Sequence, residues 1–207
     1  MKYIAHRGYS LRYRDNSIQA IYEALERGYD GIEIDIQLCK SGEIVLFHDV
    51  YIEDRFIEDM TFDELKTKGV HSLKEVYDTL PSIRRTTMFL DIKGNDPAII
   101  TALLLFYEHE SLENVFFCSF NRKILYGLPE KYKKGSTLET TFQQTEYETI
   151  TRDLSAVVLH WTCLDHGFTA YCKNKNICVY TYTHKEDMEI EYMKRYDIDG
   201  IITNGLT

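Results

Sequence analysis

Gly31-Ile32-Glu33-Ile34-Asp35-Ile36-Gln37-Leu38 reads as a β-strand carrying two carboxylates two residues apart. In a strand that spacing puts Glu33 and Asp35 on the same face. Lys40-Ser41-Gly42 follows as a tight turn into Glu43–Phe47, so the strand continues into a hairpin arm. Upstream, Tyr3-Ile4-Ala5 is a short strand. Ser17–Arg27 has apolar residues at helical spacing (Ile18, Ile21, Tyr22, Leu25), with Asn16 or Ser17 to cap it and Gly28 to stop it. Downstream, strands are predicted at Thr87–Asp91, Val115–Cys118, Gly135–Leu138, Ala156–Leu159, Ile177–Tyr182 and Gly200–Thr203. Helices are predicted between most of them, at Asp96–His109, Arg122–Leu128, Glu146–Asp153, Leu164–Asn174 and Lys185–Tyr196.

Together these make eight βα-type strands, the number that closes a (β/α)8 TIM-type barrel, with the hairpin arm after the second strand. The fold class is α/β, and a single domain over residues 1–207 is expected. The chain is short for a fold that typically takes about 250 residues, so its loops must be lean; three prolines and no low-complexity tract agree. An open doubly wound sheet is the alternative, but no glycine-rich phosphate loop follows the first strand.

Composition narrows the function. A content of 44% hydrophobic and 13% aromatic residues supports one substantial core. A net charge of −9 argues against a nucleic-acid partner, though not against a phosphate ligand, because a bound dication reverses the local field. Five cysteines without metal-finger spacing read as reduced, mostly packed thiols; Cys172 and Cys178 could form a disulfide, but nothing in the sequence requires one. With no cationic, apolar leader at Met1-Lys2 and no apolar run of about 18 residues, a cytoplasmic location is expected and nothing indicates membrane contact.

Barrel active sites lie where strands end, and His6, Glu33, Asp35 and Asp91 fall at or near such ends, with His48 ending the hairpin arm. Buried paired carboxylates require a proton or a cation, and hard oxygen ligands suit Mg2+ or Ca2+. Asp91 is the third candidate ligand, with Lys93 on the same side. Imidazoles titrate near neutrality, so His6 and His48 could divide the work of accepting and donating a proton. Arg7 and Lys93 could neutralise phosphoryl oxygens. The plain readings are a solvated strand edge for Glu33 and Asp35, a simple ion pair for Asp91 and Lys93, and structural histidines; jointly they require four coincidences at strand ends. His160-Trp161 could line the pocket or merely its rim. His71, His109, His166 and His184 are expected on helix or loop surfaces, and Glu186, Asp187, Glu189 and Glu191 on the wet face of the last helix.

The ordered set resembles the glycerophosphodiester phosphodiesterase family along nearly the whole chain. The likeness runs through His6-Arg7-Gly8, Asp15-Asn16-Ser17, Gly31–Asp35, Lys40–Val45 and His48-Asp49. Weaker echoes follow at Asp91-Ile92-Lys93, Ser119-Phe120-Asn121, Thr181-Tyr182-Thr183 and Asp199–Thr203. The resemblance implies a barrel enzyme that hydrolyses glycerophosphodiesters to an alcohol and glycerol 3-phosphate. His6 and His48 would be its acid/base pair, and Glu33, Asp35 and Asp91 the ligands of one Mg2+ or Ca2+. Arg7, Lys93 and Tyr182 would contact a small-molecule phosphodiester.

Departures from the family pattern are Arg14-Asp15-Asn16 for Pro-Glu-Asn, Cys39 and Ser41 for threonine and aspartate, Tyr182 for tryptophan, and Asp91 for the usual glutamate. The shorter acid would draw the ion toward its strand, and the short 49–86 segment implies a more open pocket. Asp-x-Lys is similar to the spider-venom sphingomyelinase D type, which keeps phospholipase D-like action on lysophospholipids as the substrate alternative. A catalytically silent binder of a phosphorylated headgroup is the non-enzymatic one.

Overall fold

Alternation along eight parallel strands sorts this chain into an inside and an outside. The computed structural model describes residues 1–205, so the last two residues of the expected 1–207 domain lie outside the described residues. The strands are β1 (Lys2–His6), β2 (Gly31–Leu38), β3 (Ile44–Leu46), β4 (Tyr51–Ile52), β5 (Arg55–Phe56), β6 (Thr87–Ile92), β7 (Val115–Ser119), β8 (Lys133–Leu138), β9 (Ala156–His160), β10 (Cys178–His184) and β11 (Gly200–Thr203). Eight of them run in the order β1-β11-β10-β9-β8-β7-β6-β2, and β1 pairs with β2 to close the barrel. The expected TIM-type barrel is present, and β3 pairs antiparallel with β2 as the hairpin arm.

Inside the barrel Ile4, Phe89, Cys118, Ala156, Val158, Tyr180 and Ile202 form one buried cluster. On four strands, the residue two places beyond a member of that plug is His6, Asp91, His160 or Tyr182. The strand period of two therefore carries a polar group to the C-terminal mouth above an apolar floor. Ile32, Ile34 and Ile36, which alternate with Glu33 and Asp35, instead join the layer packed beneath the helices.

The helices are α1 (Ile18–Glu26), α2 (Phe62–Thr67), α3 (Leu73–Thr79), α4 (Ala98–Phe106), α5 (Arg122–Gly127), α6 (Tyr147–Thr151), α7 (His166–Asn174) and α8 (Asp187–Met193). Ser17 caps α1 by accepting from the Ala20 N–H, and Gly28 follows its end at a φ of +74°. Four barrel strands outrun their apolar stretches and end at His6, Ser119, His160 and His184. Ladder bonding continues where hydrophobicity stops, at the C-terminal mouth of the barrel.

Residues 49–86 contain more than the sequence reading found. They form the β4–β5 hairpin, α2 and α3, the two helices each closed by a capping box (Thr61 with Glu64, Ser72 with Glu75). Ile57, Met60, Leu65 and Val70 pack with Cys39 and Val45 into a separate small core. Helices of six and seven residues are too short to register as a period.

Gly8 holds the turn after β1 at a φ of +77°, and a Cβ there would lie 2.6 Å from the Ala20 carbonyl carbon. Gly28 has a similar φ with open space around it. Left-handed backbone costs a Cβ-bearing residue roughly 1–2 kcal/mol. Gly28→Ala should lose about that much in urea denaturation, and Gly8→Ala clearly more, because α1 must also be displaced.

Candidate active site

Register assembles the mouth of the barrel: Asp35 lies beside Asp91 between β2 and β6, and His6 beside Glu33 between β1 and β2. Glu33, Asp35 and Asp91 each offer an oxygen within 4.8 Å of the others, at exposures of 5%, 1% and 7%. This is a buried cluster and not the solvated strand edge of the plain reading. Burial, then the charges of Asp35 and Asp91, raise the Glu33 pKa well above the usual carboxylate range. Burial raises Asp91 as well, against the pull of Lys93. At Asp35 burial is outweighed by Lys93 and Arg7, and its pKa is lowered.

Those two cations are built into the cluster. Lys93 Nζ lies 3.1 Å from Asp35 Oδ1 and 2.5 Å from Asp91 Oδ2. Arg7 Nε lies 3.0 Å from Asp35 Oδ2, and its Nη1 donates to Asp15 at 2.9 Å. Asp91 also accepts from Thr137 Oγ1. Three carboxylates facing two cations leave one net negative charge, and hard oxygen donors gathered this closely suit a dication.

The histidines flank this cluster in a cavity of about 150 Å3, floored by Phe89, Val158 and Ile202 and bordered by Tyr182. His6 Nδ1 lies 2.6 Å from Asn204 Oδ1. That oxygen can only accept, so the proton sits on Nδ1, and Nε2 turns its lone pair inward, 3.9 Å from Glu33. Burial, reinforced by Arg7, lowers His6 to about 4. His48 sits two residues past the end of β3, with Nδ1 2.7 Å from Asp49 Oδ1. Gln37 pins that loop, its Nε2 donating to the carbonyls of Phe47 and Asp49, both at 2.7 Å. The Tyr182 hydroxyl is engaged with the Leu138 carbonyl at 3.2 Å.

The structure thus brings every proposed site residue to one cavity, and it adds supports not assigned from sequence. Asn16, buried at a φ of +57°, clamps Asp35 by donating from Nδ2 to Oδ2 (2.8 Å) and accepting the Asp35 N–H on Oδ1 (3.0 Å). Its signal was present in Asp15-Asn16-Ser17. Asn204 had only its position just past β11 to recommend it.

His184 corrects an expectation. It is fully buried, not on a loop surface, because β10 runs through Tyr182 to His184. Its Nε2 lies 2.9 Å from Thr181 Oγ1, its carbonyl accepts from Thr203 Oγ1 at 2.9 Å, and burial lowers it to about 4. His109 and His166 are exposed as expected, and His71 is half-buried. All five cysteines are free, Cys39 and Ser41 both bonding Glu43 within the hairpin turn. No helix among the described residues is long and apolar enough to cross a membrane.

Residues 6–206 match the glycerophosphoryl diester phosphodiesterase family. A glycerophosphodiester phosphodiesterase of Caldanaerobacter subterraneus subsp. tengcongensis is 25% identical over 97% of this chain and 93% of that protein. The crystal structure of the Thermotoga maritima glycerophosphodiester phosphodiesterase superposes with a TM-score of 0.84 at 25% identity, covering 99% of this chain and 94% of that one. An Oleispira antarctica phosphodiesterase, solved with its product sn-glycerol-3-phosphate, shares the fold with a TM-score of 0.87 at 20% identity, over 99% and 93% of the two chains.

The raised Glu33 pKa has a consequence for stability. Below the unfolded-state value, near 4.5, both states are protonated and Glu33 carries no penalty. As pH rises toward the higher folded-state pKa, stability is progressively lost. In metal-free buffer Glu33→Gln should therefore melt higher than the parent, by roughly 2–4 °C per kcal/mol relieved. The gap should widen from pH 4.5 upward, and melting curves across pH check it.

Proposed function

This chain belongs to the glycerophosphoryl diester phosphodiesterase family and is a phosphoric diester hydrolase, and we propose that its single barrel domain hydrolyses glycerophosphodiesters to an alcohol and glycerol 3-phosphate with one bound Mg2+ or Ca2+. The observation that carries this reading is the buried trio Glu33, Asp35 and Asp91 with His6 and His48 lining the same cavity. The product held by the Oleispira phosphodiesterase supports the same substrate half.

Glu33, Asp35 and Asp91 would hold the cation. Their donor chemistry fits it: close-set, dehydrated carboxylates, one of them with its pKa raised by burial and then by its neighbours' charges. When bound, the ion supplies charge to the phosphoryl oxygens and stabilises the transition state. It would also turn the net negative charge of the cluster positive, matched to the single negative charge of a phosphodiester. Arg7 and Lys93, then relieved of part of their present task, face the remaining oxygens.

The chain's own residues manage the protons. As a water O–P bond forms and the alcohol O–P bond breaks, one imidazole accepts the water proton and the other delivers a proton to the departing oxygen. Asn204 and Asp49 each hold one ring by its Nδ1, so Nε2 of each is the working atom. Asn16 keeps Asp35 in place and Tyr182 shapes the cavity rim. Five unbridged thiols accord with a reducing, cytoplasm-like setting.

Chelation followed by dialysis should abolish release of glycerol 3-phosphate, and added Mg2+ or Ca2+ should restore it. His6→Ala and His48→Ala should each lower kcat by roughly 10^2–10^4. Full turnover in both variants, or after complete chelation, would overturn the assignment.

A further inference from the structure

A second, wider cavity of about 570 Å3 opens beside the first, and His6, Arg7, Tyr182 and Thr183 line both. The two spaces therefore meet at the site of the reaction. A diester has two arms, and the arm that differs between substrates needs the roomier chamber. Resting on the hydrolase reading above, we propose that the wider cavity receives the headgroup alcohol and is built for an uncharged polyol, such as inositol or glycerol, rather than a quaternary ammonium.

The lining decides between these chemistries. A trimethylammonium group is held by aromatic faces with unopposed negative charge. Trp161 and Tyr182 supply aromatic surface here, but Arg7 and Lys185 stand against Asp15 and Glu189, so the chamber carries as many cations as carboxylates. The carboxylates are also partly engaged: Asp15 Oδ2 accepts from Arg7 at 2.9 Å, and Glu189 Oε2 accepts the Lys185 N–H at 2.7 Å. Each still has a second oxygen for a ligand. Lys185 Nζ and Asn204 Nδ2 are donors on the same wall, and Asn204 Oδ1 is committed to His6.

A polyol hydroxyl both donates and accepts, so alternating donors and acceptors satisfy it where they would repel or ignore a fixed cation. The indole of Trp161, half-exposed just past the end of β9 and tilted 6.2 Å from His184, offers a flat apolar face to the C–H side of such a ring or chain. His160, left open from sequence, sits 6.1 Å from that indole and 5.6 Å from Tyr182, filling the corner between them.

The test compares kcat/KM for glycerophosphoinositol, glycerophosphoglycerol and glycerophosphocholine with the same divalent cation, in the parent, Lys185→Glu and Trp161→Leu. The polyol diesters should exceed the choline diester by tenfold or more in the parent, the usual size of one charge-assisted hydrogen bond. Lys185 is exposed, so its reversal leaves folding intact, and it should shift the ratio toward choline by about tenfold. Trp161→Leu should raise KM for the polyol diesters more than it changes kcat. A parent that prefers choline, or ratios unmoved by Lys185→Glu, would overturn the polyol assignment while leaving the hydrolase reading standing. Absence of turnover for all three diesters would instead overturn the hydrolase reading and this one with it.

Discussion

Repulsion among three dehydrated carboxylates is the constraint around which the barrel mouth is arranged. Register alone forces it: Asp35 and Asp91 are paired neighbours on β2 and β6, with Glu33 one strand period below. Left bare, such a group would be untenable in a dry interior. Lys93 and Arg7 answer most of the charge, Thr137 and Asn16 supply hydrogen bonds, and a proton or a dication must answer the rest. The barrel mouth is a place where the fold accepts local instability, the pattern expected of a site selected for function rather than for stability.

The supports follow an order outward from that constraint. Asn16 fixes Asp35 from both its backbone and its side chain, and it can do so because the chain turns left-handed at Arg7, Gly8 and Asn16 to bring the first loop over β2. Gln37, the next inward-facing residue after Asp35 on the same strand, steadies the loop that carries His48. One β-strand thus furnishes two of the three clustered carboxylates and the anchor for the loop that carries His48, and its outward isoleucines bind it to the helical layer. Few substitutions on β2 could leave the arrangement of the barrel mouth undisturbed.

Much of this was legible in the sequence, for physical reasons. Short apolar runs spaced by helical periods gave the barrel, and Glu33, Asp35, Asp91 and Lys93 could be placed because strand periodicity fixes which face a residue takes. Strand ends lie a residue or two beyond the apolar runs, since backbone pairing persists past the last hydrophobic side chain, as at His184. His184 is therefore the buried last residue of β10 and not part of a surface loop. Asn204 and Gln37 act through contacts that no local pattern encodes. The short helices of residues 49–86 were missed because capping boxes, rather than periodicity, define them.

The seam between β1 and β11 has a temporal consequence. His6 precedes its partner Asn204 by 198 positions along the chain. Bringing such distant segments together is entropically slow and late in folding. During synthesis the carboxylates of β2 and β6 can meet before the His6 imidazole beside them is oriented by Asn204. On the proposed reading, the acidic half of the mouth comes together before its imidazole is oriented, and turnover would report that the closing strand has docked.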